Sequence, residues 1–186
     1  MSEKREKIIQ ASLKLFTQKG IDSTSTASIA KEAGVGTGTV FHHYSNKDEL
    51  INECFKYVKE KLREALQEID SDDFVDKAHA YWKSAVEWYL DNKAEAQFLS
   101  IYQHDPKLNN GKSFTITTEI SDLVMKVIIE AKEKGIIRDF PIDYFCMLAI
   151  ESTMLTAQYL LENPDADREK TIRSTCDFFL NGVLNK

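Results

Sequence analysis

A chain of 186 residues with 42% hydrophobic and 29% charged side chains carries enough apolar material for a buried core and excludes a disordered chain. Only 7 Gly and 3 Pro break it, and alternating apolar–polar runs are scarce, which excludes a strand-rich fold. The net charge of −6 hides an asymmetry: residues 1–47 carry +3 and the remainder −9, a basic head on an acidic body.

The first predicted helix covers 3–19. Ile9, Leu13 and Phe16 form a stripe with Ile8 and Leu15 beside it, acidic residues open the helix, Lys14 and Lys19 close it, and Gly20 supplies a left-handed stop. Asp22-Ser23-Thr24-Ser25 then offers several N-cap groups. A short helix at about 26–33 turns Ile29, Ala30 and Ala33 inward. Gly34-Val35-Gly36 breaks it, and a second short helix follows at about 37–43. Two short helices across a glycine-containing turn make a helix-turn-helix. Ser45 is the expected N-cap of a long fourth helix reaching about residue 69, with Asp48 at its N3 position.

Five more helices follow. Phe74, Ala78, Tyr81, Ala85 and Tyr89 line one at about 73–92, and Phe98, Ile101 and Tyr102 mark a shorter one at about 94–104. The segment 106–112 is the clearest loop. A helix at 114–134 is stopped by Gly135, and the last two span about 142–162 and 168–184 around Asn163-Pro164-Asp165. Glu151 and several hydroxyl groups interrupt the apolar run at 144–161, so no membrane span is expected. The charged opening is not the pattern of a signal peptide. Cys54, Cys146 and Cys176, far apart and odd in number, read as reduced, buried thiols of a cytoplasmic protein.

Chemistry concentrates at 29–50. On a helix beginning at Thr37, Val40 and Tyr44 point inward, while Gly38, Thr39 and His42 lie on the opposite face. Small and polar groups on that face suit a major groove about as wide as a helix. Thr26 and Thr37 start their helices and can donate to phosphates; His43, between the two faces, and Lys47, opening the fourth helix, are further phosphate donors. Adjacent His42 and His43 point about 100° apart with no acidic or Cys partner at ligand spacing, so no metal and no cofactor is expected.

The run Ile29-Ala30-Lys31-Glu32-Ala33-Gly34-Val35-Gly36-Thr37-Gly38-Thr39-Val40-Phe41-His42-His43-Tyr44-Ser45-Asn46-Lys47-Asp48-Glu49-Leu50 resembles the DNA-binding segment of the TetR family. Gly20 and Thr24 also fall where that family has Gly and Thr. Two positions depart from the pattern. Phe41 stands where the family usually has Tyr, which leaves only an apolar contact to a sugar or thymine methyl, and Gly36 replaces a usual Ser. Both changes imply a modestly weaker grip on DNA.

What the resemblance implies is an all-α bacterial transcription regulator of about nine helices. An N-terminal three-helix helix-turn-helix DNA-binding domain, 1–46, is joined to a C-terminal helical effector-binding and dimerisation domain, 47–186. Such a protein is a homodimer on double-stranded operator DNA, most simply a repressor released by a small apolar or aromatic effector. The last two helices are the expected interface, through the small-residue face Ala149, Ser152, Thr153 and Thr156, and through Phe178, which projects off the inward stripe of its helix. The effector pocket is expected among Trp82, Tyr89, Phe98, Tyr102, Phe114, Met147 and Met154, with Glu151 as its polar group. Two other classes stand beside this one. An adaptor of the same fold answering to a protein partner would show a filled core and an exposed groove in place of a cavity. An all-helical enzyme lacks a nucleophile elbow, a paired-carboxylate constellation and a phosphate-cradling loop.

Overall fold

In the computed structural model, residues 2–66, 69–109 and 122–185 are described. Among these residues the architecture is all-helical: α1 Glu3–Lys19, α2 Thr26–Glu32, α3 Thr37–His43, α4 Lys47–Ala65, α5 Phe74–Asp91, α6 Lys93–His104, α7 Pro106–Asn109, α8 Asp122–Glu133, α9 Ile142–Glu162 and α10 Arg168–Val183. No helix of the described residues is long and apolar enough to cross a membrane. Two compact units emerge, Met1–Lys61 with Lys93–Asn109, and Leu62–Asn92 with Asn110–Lys186.

In the first unit, the Ser2 side chain caps α1 and Glu3 and Glu6 face its positive end. Gly20 ends it at φ +84°. Thr24 is buried, and its hydroxyl donates to the carbonyls of Gly20 (2.8 Å) and Leu15 (3.2 Å), filling acceptors that the helix end leaves open. Ile8, Ile9, Leu13 and Phe16 are buried. The α6 helix packs on α1, with Phe98 against Phe16 at 6.0 Å. Tyr102 stacks on Phe55 at 4.2 Å and donates its hydroxyl to Asn52 at 2.9 Å.

Ser25 caps α2 through the Ser28 N–H (3.1 Å). At the other end Gly34, at φ +66°, donates to Lys31 while Val35 donates to Ala30, the paired bonds of a Schellman turn. Side chains rarely adopt that backbone, so the glycine fixes the angle between α2 and α3. The start of α4 corrects the sequence reading. Asn46, not Ser45, accepts the Glu49 N–H (2.8 Å), and the Glu49 carboxylate reaches back to the Ser45 N–H (2.7 Å) and hydroxyl. The N-cap is thus Asn46, and Glu49 at N3 reaches one residue further back than in a capping box, to Ser45.

The helix α4 ends at Ala65, short of the expected 69. Beyond it Ser71 accepts the Asp73 N–H and Asp73 accepts the Asp76 N–H (2.9 Å), so these short side chains cap α5 and do not continue α4. The expected loop at 106–112 opens with a helical turn, α7. Pro106 takes the first position and Asp105 accepts the Lys107 N–H at 2.9 Å.

In the second unit α5 packs against α8, α9 and α10. Trp82 lies against Phe179 (5.2 Å) and donates its indole N–H to the Thr175 hydroxyl (3.2 Å), while Phe145 meets Phe179 edge-on. The turn after α8 is tied to the chain end through an antiparallel bridge between Ile137 and Leu184. Cys146 and Cys176 are free and buried here, as Cys54 is in the first unit.

Candidate nucleic-acid interface

The residues of α3 and its C-cap Tyr44 divide by face. Val40 and Tyr44 are 1% and 2% exposed, anchoring the helix, and the Arg5 guanidinium lies over the Tyr44 ring at 5.7 Å. Burial pushes the Tyr44 hydroxyl above its ordinary pKa, so it stays neutral. Outward stand Gly38, His42 and the 50% exposed Phe41, with Thr39 and His43 half-buried. The His42 and His43 rings sit 5.2 Å apart. Gly36 caps α3 without a side-chain bond, Thr37 is exposed, and Thr26 opens α2 half-buried.

Two glycines here are not demanded by the fold. A Cβ on Gly38 would meet nothing within 4 Å, and one on Gly36 would meet only the Thr39 hydroxyl at 3.8 Å, an ordinary contact. Neither has positive φ. The lack of a side chain at Gly38 leaves the helix backbone open to close approach from outside.

Lys47 opens α4 and is half-buried. Its ammonium donates to the carbonyl of Ile21 (2.5 Å) and reaches that of Asp22 (3.5 Å), tying the start of α4 to the connection before α2. Of the other cations in the head, Lys14 pairs with Glu32, Lys7 with Glu3 and Arg5 with Glu53.

The second unit holds a partly open cavity of about 140 Å³. The stripe Phe74, Ala78, Tyr81, Ala85 and Tyr89, with Trp82, forms one wall; Phe145, Thr153 and Phe179 contribute to others, as do Leu62 of α4 and Leu66 just beyond it. Ala78, Ala85 and Ala149 leave the space. The Tyr89 hydroxyl lies beside that of Thr153, and burial drives its pKa upward.

Of the residues expected to form a pocket, Trp82 and Tyr89 line this cavity. Phe98 and Tyr102 belong to the core of the first unit, taken up by Phe16 and Phe55. Met147 is exposed, and Glu151 and Met154 are half-buried off the cavity wall. Phe114 lies outside the described residues. The useful signal was the α5 stripe itself: two alanines among large aromatics on one inward face mark missing volume.

Of the residues expected at the dimer interface, two lie inside their own unit. Thr153 and Thr156 are buried, and their hydroxyls donate to the Ile150 and Ser152 carbonyls of their own helix. Ala149 faces the cavity and Ser152 is half-buried. The outward face of α9 is instead Tyr144, Met147, Leu155 and Tyr159, and Phe178 of α10 is 84% exposed.

A helix-turn-helix with a short outward-facing helix opens the chain, and a helical body follows it in sequence. The family model for bacterial regulatory proteins of the tetR family matches residues 8–54. The chain is 32% identical over 75 residues to the HTH-type transcriptional regulator PksA of Bacillus subtilis, spanning 40% of this chain and 37% of that protein. A tetR family transcription regulator from Shewanella sp. PV-4 superposes with a TM-score of 0.91 at 26% identity over 100% of both chains. A Clostridium perfringens fatty acid metabolism regulator shares the fold, with a TM-score of 0.80 at 22% identity over 97% of this chain and 100% of that one. Over residues 8–54 the chain is therefore similar to bacterial regulatory proteins of the tetR family, and it spans about a third of the length of the first curated relatives it matches.

Proposed function

We propose that the chain is a dimeric, sequence-specific DNA-binding repressor, with its DNA contacts inside 1–47 and its effector and dimer contacts in the remainder. Gly38 carries the reading. A glycine in a helix is less favourable than alanine by up to about 1 kcal/mol, and nothing within the fold requires it. Its use is outside the chain, where α3 lies against base edges. Thr39 and His42 read those edges, Phe41 offers an apolar contact, and Thr26, Thr37 and His43 hold phosphates.

One such helix reads too few bases to select a site, so two copies bind two half-sites. The apolar outer face of α9 with Phe178 supports pairing of the last two helices. Release follows from the cavity: α4 begins in the head and ends with its last turn forming part of the cavity wall. An effector that prefers the DNA-incompetent state tenfold supplies about 1.4 kcal/mol of coupling. Selection of bound DNA from a random pool tests the reading. Two inverted half-sites separated by about one helical turn or a multiple are expected. A single unpaired site, or no enrichment, overturns it.

A further inference from the structure

We infer that the effector of this cavity is an electrically neutral molecule of about one aromatic ring, and neither a fatty acid nor any other carboxylate. This rests on the proposed ligand-responsive function and narrows it to a chemical class. None of the described lining residues is charged; the polar groups are the hydroxyls of Thr153, Tyr81 and Tyr89 and the indole N–H of Trp82, which is already donated to Thr175. A carboxylate buried there would lose its water and gain no cation from the described lining. Size points the same way, since a cavity of about 150 Å³ lined by apolar side chains takes up benzene, and this one is about 140 Å³. The wall chemistry selects a ring. Phe145, Phe179 and Trp82 present faces and edges, and Met125, Cys146 and Cys176 add polarisable sulfur, which makes favourable contacts with aromatic rings. Burial raises the Cys146 and Cys176 thiols to about 11 and about 12, so they too are neutral.

Titration calorimetry of the full chain with toluene, benzoate and octanoate tests the inference. Toluene is expected to bind, with benzoate and octanoate weaker by at least about tenfold. Ala85→Phe, which fills the cavity, is expected to abolish toluene binding with helix content retained; Ala78→Leu replaces it if that variant does not fold. Equal binding of benzoate or octanoate, toluene binding that survives both fillings, or no binding of any probe overturns the inference. A separate measurement of DNA affinity keeps the two readings apart. Toluene that binds the cavity without loosening DNA leaves its chemistry standing and overturns the effector role.

Discussion

Gly38 separates stability from binding within one substitution. Gly38→Ala meets open space and improves helix propensity, so thermal unfolding is expected to shift upward by up to about 1 kcal/mol. If Gly38 lies on the proposed contact face, the added methyl stands between helix and duplex, so DNA affinity is expected to fall in the same protein. Denaturation and fluorescence anisotropy on one preparation read both quantities, and an affinity that rises with stability removes Gly38 from the contact face. Phe41 gives the complementary test. Its ring is half exposed, and Phe41→Tyr adds a hydroxyl at the position where the family usually carries one. A recovered hydrogen bond to the DNA backbone is expected to strengthen binding by about 1 kcal/mol, uniformly across sequences. An unchanged affinity would place the ring away from the backbone.

At the scale of the element, the start of α4 is a pH-dependent clasp. The hydroxyl and N–H of Ser45 hold the Glu49 carboxylate below its ordinary value, so the contribution is present above the unfolded value of about 4.3 and is lost as pH falls through the folded one. Exchange of the Ser45 amide proton is therefore expected to accelerate, relative to its neighbours, in acid below about pH 4. Glu49→Gln should flatten that dependence; a pH response that persists in the variant assigns it elsewhere. Asn46→Ala should cost about 1 kcal/mol at neutral pH, because it removes the cap itself. The sequence showed that a helix begins here but not its register, because Ser45 and Asn46 are both good caps and stand side by side. By contrast α1, α3 and α9 were legible to the residue. Gly20 closes α1, Gly36 precedes α3, and Pro141 and Pro164 bracket α9. The turn at Pro106 was not, since its Asn-Asn-Gly neighbours read as loop and concealed a proline at a helix start.

Across the whole molecule, legibility fails where long-range packing decides. Phe98 and Tyr102 look like pocket aromatics until α6 folds back on α1 and their rings meet Phe16 and Phe55. The α9 helix is apolar nearly all round, so its period does not say which face is inside, and Thr153 and Thr156 lie on the inner one. That rotation makes a sharp prediction about assembly. Leu155 is 66% exposed, so Leu155→Glu should leave the fold of one chain within about 0.5 kcal/mol. In a two-fold dimer the same substitution enters the interface twice and places two carboxylates in a desolvated apolar patch. Sedimentation velocity is expected to show monomer with helix content intact, and operator binding should fall to the level of a single head. Thr156→Glu is the contrasting variant: Thr156 is buried, so a charge there must destabilise the chain itself. If Leu155→Glu remains a dimer while Thr156→Glu dissociates without losing stability, the small-residue face is the interface and the outward assignment of Tyr144, Met147, Leu155 and Tyr159 is wrong.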